Sequence, residues 1–215
     1  MVDCCQRAGI ENQFDAKTAT QELRRLRDAG PRATTRMLTD ALPRQVVSQG
    51  SVLDIGGGVG AISHELLEAG AREAVQVDIS PAFVDAARSE AKRRGHDDRL
   101  AFVHGDFVEV ASEVPPSDIV TLDRVICCYP DMERLVSLSA QKARQLYAAV
   151  YPRRVWWTVP VFLLMNAWYR IRRTAFRVYL HPPERIDAIL EREGLKRYFA
   201  RNTFIWRVAA YRRAA

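Results

Sequence analysis

Cysteine is scarce in this 215-residue chain, and what there is sits poorly for either of its structural uses. Its four cysteines form two adjacent pairs, Cys4-Cys5 and Cys127-Cys128. Neighbouring cysteines do not make the spaced disulfide framework of a small secreted domain, and they lack the spacing that brings two thiolates onto one tetrahedral ion. No signal peptide precedes them. The expectation is therefore a protein of the reducing cytoplasm with no metal. Long apolar runs are also missing. The most apolar tract, Val155 to Trp168, contains Pro160 and is too short to span a bilayer. No nucleic-acid-binding motif is present, so a nucleic-acid partner has only the basic charge in its favour. That charge is +6, and the basic groups at Arg24 to Arg27, Lys92 to Arg94, Arg153-Arg154, Arg170 to Arg177 and Arg212-Arg213 read as solvated helix faces interleaved with acids.

What the chain does have is a glycine cluster in an informative place. Ser51-Val-Leu-Asp-Ile-Gly-Gly-Gly-Val-Gly60 reads as a strand, a tight turn and the start of a helix. Gly56, Gly58 and Gly60 permit positive φ angles and close approach of a ligand to the main chain. The same glycines fit a dinucleotide fingerprint. Asp54 argues against it, because a carboxylate beside the turn repels a pyrophosphate and attracts a cationic amino group. A second strand, Ala74 to Val77, ends in Asp78, suited to a ribose diol. A third, Leu100 to Val103, is followed by Gly105-Asp106-Phe107, where an acid can accept from an adenine amino group beside an apolar ring. Ile79 belongs with the same pocket. Three strand-end acids thus describe a site for an adenosine carrying an amino-acid tail.

The ordered set Asp54-Ile-Gly-Gly-Gly-Val-Gly60, Val75-Gln-Val-Asp-Ile79, Gly105-Asp-Phe107 and Asp118-Ile-Val-Thr-Leu-Asp123 resembles the class I S-adenosylmethionine-dependent methyltransferases, over roughly residues 36–212. The resemblance implies an α/β Rossmann-like fold: a mostly parallel seven-stranded sheet, a closing antiparallel hairpin and helices on both faces. It implies S-adenosyl-L-methionine as cofactor, with Asp123 orienting it. It also implies a helical cap over residues 1–43 and a catalytic domain over 44–215, with a lid insertion at 153–180.

Along the chain, residues 1–15 read as irregular with Phe14 as an anchor, and helices are expected over Ala16 to Ala29 and Arg32 to Leu42. Ordinary packing is the expectation for Arg32 and Thr35. Later helices are expected after the glycine turn to Glu68, from Ser80-Pro81 to Arg94, from Met132 to Gln145 and from Pro183 to Glu193. Strands are expected at Ile119 to Leu122, Leu146 to Val150, Lys196 to Asn202 and Thr203 to Tyr211.

The acceptor side is less defined. Asp123 to Asp131 lines the substrate approach in the resembled class, which brings in Tyr129 as a residue touching either ligand. Magnesium-protoporphyrin O-methyltransferases, a narrower local resemblance, carry a histidine where Cys128 falls. Cys127 and Cys128 read first as an apolar lining, next as a catalytic or redox thiol, and last as half of a zinc site with Cys4 and Cys5. Tyr179-Leu180-His181 matches a Tyr-Leu-His of the same enzymes and makes His181 the candidate base, with helix capping as the other reading. His64, His96 and His104 read as helix-surface or loop residues. The tract at 156–173 has three readings: a lid over a large apolar substrate, an interfacial membrane helix, or a core helix. The expected substrate is a bulky apolar small molecule methylated on oxygen, with RNA or protein as the rival acceptor and a non-catalytic binding module as the rival class. Oligomeric state is not legible.

Overall fold

A computed structural model describes residues 4–214, with side chains from Arg7 onward. Readings of the Cys4 and Cys5 thiols lie outside the described side chains.

Four helices precede the sheet: α1 (Cys4–Gln13), α2 (Ala16–Ala29), α3 (Ala33–Asp40) and α4 (Arg44–Val47). The chain then alternates through β1 (Ser51–Ile55), α5 (Ala61–Glu68), β2 (Glu73–Asp78), α6 (Pro81–Arg94), β3 (Leu100–His104), α7 (Phe107–Val110) and β4 (Ser117–Asp123). A 3-10 turn, Ile126–Cys128, leads into α8 (Met132–Lys142) and β5 (Ala143–Pro152). Last come α9 (Thr158–Ile171), α10 (Pro183–Arg192), β6 (Leu195–Asn202) and β7 (Trp206–Arg213).

The strands form one sheet in the order β3-β2-β1-β4-β5-β7-β6, parallel except for β7, which runs antiparallel to both neighbours. Successive β1 residues serve opposite faces: Leu53 and Ile55 pack with Leu135 and Ile186, and Val52 packs with Leu38 and Leu66. Burial on both faces explains why Val52, Leu53 and Ile55 of β1 do not follow an apolar-polar alternation. The chain leaves β1 toward β2 on one side and returns beside it as β4. That switch point is where ligands bind in open α/β sheets.

Four expectations need correction. Residues 4–13 are helical, not irregular; Gly9 weakens the helical pattern because the backbone at Ala175 and Phe176 crosses it, and a Cβ there would meet Phe176 N at 2.5 Å. The helix after Met132 stops at Lys142, since Ala143 already pairs with Ser117 at the start of β5. His64 and His96 are buried, with their Nδ1 atoms 3.0 Å apart, and burial takes the His64 pKa down to about 4. Finally, α9 is no core helix. Only Thr158 and Phe162 of its residues are buried.

The N-terminal helices are joined to the sheet domain by specific contacts. Phe14 meets the edges of Phe83 and Phe176, and Arg27 donates to the buried Glu90 at 2.9 Å. Glu90 also accepts from Arg93 and Arg94, so α2 is tied to α6 by a three-arginine cluster.

Candidate functional site

A cavity of about 420 Å³ opens at the carboxyl ends of β1, β2 and β4. The glycine turn forms its floor. Gly56, Gly58 and Gly60 have φ of 64°, 59° and 86°, the left-handed region that favours glycine. Gly57 is needed for space instead, since a Cβ would lie 2.6 Å from Gln76 Cγ and 2.8 Å from Asp54 Oδ2. The turn is clamped from β2. Gly58 N–H donates to Asp78 Oδ2 at 2.9 Å, and Gln76 Nε2 donates to Gly58 O at 2.8 Å.

The three strand-end acids all line this cavity. Asp54 is buried, accepting from Thr121 Oγ1 at 2.8 Å and Ser63 Oγ at 3.1 Å. Burial outweighs those two donors, and its pKa rises to about 7. Such a carboxylate gains most from a cationic partner, which supplies the charge that solvent no longer offsets. Asp78 holds Ser80 N–H at 2.9 Å as well as Gly58 N–H, and burial pushes its pKa up too. A carboxylate has about four lone-pair positions, so both oxygens of Asp78 retain capacity for hydroxyl donors. Asp106 caps α7 through Val108 N–H at 3.0 Å and accepts the Tyr129 hydroxyl at 3.0 Å. Ile79 and Phe107 add apolar surface beside it.

Asp123 sits at the end of β4, where Thr35 Oγ1 donates at 2.5 Å and Arg124 Nε at 2.9 Å. Arg124 adopts a φ of 62°, uncommon for a side-chain-bearing residue, as the chain turns into the 3-10 segment. Thr35 and Arg32 therefore reach the cavity from the N-terminal helices, where ordinary packing was expected. Gln76, Gly57, Ser63 and Thr121 are further contributors that the sequence reading does not single out as site residues.

Beyond these acids, Gln13, Thr18, Glu22 and Arg25 of the N-terminal helices also line the cavity, and one stretch of its wall is apolar. Cys127, Cys128, Tyr169, Phe176, Val178 and Trp206 line it. Both thiols lean on Arg124 O, at 3.3 Å from Cys127 and 3.7 Å from Cys128. The Cys128 contact and burial push the Cys127 thiol well above its usual range, which suits the apolar-lining reading. Burial also raises the Tyr169 hydroxyl.

His181 is elsewhere. Its Nε2 lies 2.9 Å from Tyr129 O, its ring stacks on Tyr179, and it borders a separate depression with Pro130, Glu133 and Arg185. Desolvation lowers its pKa. Tyr129 is inside the cavity but its hydroxyl is bound to Asp106, and burial and that carboxylate raise its pKa far above neutrality. The structure thus gathers Asp54, Gly56, Gly58, Asp78, Ile79, Asp106, Phe107, Asp123 and Tyr129 around one space and leaves His181 outside it, with Gly60 capping α5 just behind.

Residues 52–148 match the model of a methyltransferase domain family. Among curated proteins, the ribosomal protein L11 methyltransferase of Psychrobacter sp. (strain PRwf-1) is 34% identical over 107 residues, 48% of this chain and 34% of that protein. That of Dechloromonas aromatica is 32% identical over 104 residues, 46% and 35% respectively. The chain thus matches about a third of the length of these relatives. Among solved structures, magnesium protoporphyrin IX methyltransferase of Synechocystis PCC 6803 with bound SAH superposes with a TM-score of 0.73 at 19% identity, covering 95% of this chain and 98% of that one. An O-methyltransferase family protein of Burkholderia thailandensis gives 0.71 at 17% identity, over 95% and 63%.

Proposed function

Residues 52–148 belong to the class I S-adenosylmethionine-dependent methyltransferase domains, and from that premise we propose that this chain methylates an oxygen, foremost a carboxylate, of a bulky apolar small molecule. S-adenosyl-L-methionine supplies a methyl group already activated by its cationic sulfur. The residues present fit it: Asp54 would hold the cationic amino-acid portion, Asp78 and Ile79 the ribose, and Asp106 and Phe107 the adenine. Asp123, held by Thr35 and Arg124, orients the tail, and Tyr129 positions Asp106 instead of exchanging protons.

The observation that carries the acceptor assignment is the wall of Cys127, Cys128, Tyr169, Phe176 and Val178. Cys127 and Tyr169 hold their protons tightly, no histidine lines the cavity, and Asp123 is already engaged. An acceptor that arrives ionised needs no base, whereas an amine or phenol must lose a proton on the way. What remains for the protein is to align the acceptor and exclude water. Segment 153–180 does so as a lid, through Tyr169, Phe176 and Val178.

The L11 methyltransferase relatives favour a second reading, a protein acceptor. Transfer of labelled methyl from S-adenosylmethionine to a panel of hydrophobic carboxylic acids, tetrapyrroles included, and to ribosomal protein and RNA separates them. The proposal expects label in an organic-soluble ester that mild base cleaves. Base-stable label in protein or RNA, with none in the acids, overturns it.

A further inference from the structure

The net charge of +6 is not spread over the molecule. Arg153 to Arg177 contains six arginines and no acid, so the rest of the chain is balanced, and no acid occurs anywhere from Arg134 to Pro183. The expectation of interleaved basic faces fails for this segment.

Its fold makes the imbalance local. Helix α9 turns Thr158, Phe162, Asn166 and Tyr169 inward, spaced for one helical face. Asn166 latches that face by donating to Val178 O at 2.8 Å and accepting from Val178 N–H at 2.9 Å. The outward face is bare hydrocarbon: Leu163, Leu164, Trp168 and Ile171, with Leu164 70% and Ile171 75% exposed. Trp156 and Phe204 extend it at 82% and 73% exposure, Phe204 stacking on Trp157 at 5.7 Å. Arginines rim this surface. Arg172 lies over the Trp168 ring at 4.9 Å and Arg153 over Trp157 at 5.6 Å. Among the described residues, Arg154, Arg170, Arg172 and Arg173 make no ion pair.

We propose that this surface is an in-plane anchor on an anionic lipid membrane. An apolar helical face belongs at the boundary of headgroups and acyl chains, tryptophan is at home at that depth, and arginines beside it meet lipid phosphates. The alternative of a second copy is disfavoured by charge, because a two-fold contact sets this arginine rim against its own duplicate. Spanning is excluded for α9: fourteen residues extend about 21 Å against about 30 Å of hydrocarbon, and no helix among the described residues is long and apolar enough to cross. Docking also sets the helix that carries Tyr169 between lipid and cavity, an entry side for an apolar acceptor. That consequence rests on the acceptor reading above, whereas the docking itself does not.

The test is sedimentation of the full chain with vesicles of phosphatidylcholine alone and of phosphatidylcholine with about 30% phosphatidylglycerol. Binding to the anionic vesicles is expected to be at least about tenfold tighter and to weaken as salt rises from about 50 to about 500 mM. Tryptophan emission should shift to the blue on binding. Leu163→Asp with Leu164→Asp should lower vesicle binding at least about tenfold, while S-adenosylmethionine binding and melting temperature, which report folding, stay unchanged. No binding to anionic vesicles at low salt overturns the proposal, as does binding that the double variant retains. Self-association of the wild-type chain that the same variant abolishes, without vesicle binding, assigns the face to a second copy instead. Failure on the acceptor panel leaves these readouts untouched.

Discussion

At the glycine turn, the cavity presents three buried carboxylates, each held by named donors, whereas the wall of Cys127, Cys128, Tyr169, Phe176 and Val178 presents carbon, sulfur and one aromatic hydroxyl. The two regions differ in when their polar groups are oriented. Asp54 is fixed by Ser63 and Thr121, Asp78 by Gly58 and Ser80, and Asp106 by Val108 and Tyr129, all within the protein. The acceptor wall holds nothing comparable. A preorganised polar region suits a ligand of constant chemistry; an apolar wall suits a molecule recognised by shape and placed for a reaction that asks little acid-base help.

Substitutions that invade the polar region should have the largest consequences. Asp54→Asn is expected to weaken cofactor binding by about a hundredfold or more, as loss of one partner from a buried charge contact does; calorimetric titration with S-adenosylmethionine reads it. Next comes Gly57→Ala. Its Cβ would press on Gln76 and Asp54, with an expected cost of about 2 kcal/mol, read as a melting temperature lower by roughly 4–8 °C. Tyr129→Phe removes the hydroxyl donor to Asp106 and should weaken cofactor binding by about tenfold. A larger drop in turnover than in binding would instead give Tyr129 a part in the transfer step. Smallest is His181→Ala. With the ring outside the cavity, turnover is expected to stay within about threefold of the parent, and a loss of about a hundredfold would restore the histidine as base.

The fold was legible because each strand carries its own punctuation: Gly56 to Gly60 after β1, Asp78 before the Ser80 cap, Asp106 capping α7. The convergence of the three strand-end acids follows from the same punctuation, since parallel strands end on one edge of the sheet. The partners of those acids were not legible. Thr35 meets Asp123 across 88 positions and Thr121 meets Asp54 across 67, and nothing local in either threonine signals the pairing. Gln76, a polar residue in a buried strand, was the one available hint that β2 grips the turn. His181 is the converse case, a residue placed outside the cavity. A short resemblance fixes residue type without fixing which side of a loop it faces. The apolar tract of α9 could be identified by composition, but whether protein covers it depends on the path of the chain from Arg172 to Val178, which turns away and leaves the outer face open.

On the proposed function, Asp54 selects a cationic cofactor. In the free protein its pKa is about 7, so roughly half the molecules carry a neutral acid at that pH. A cationic ligand prefers the ionised form, so affinity must fall as pH drops below about 7 and level off above it, with protons released on binding. Calorimetric titration with S-adenosylmethionine from about pH 5.5 to about pH 8.5 measures this directly. Affinity is expected to rise with pH through about 7 in the parent protein, and Asp54→Asn is expected to bind weakly with no such rise. Tight binding by the variant, or the same pH dependence without the carboxylate, would contradict it.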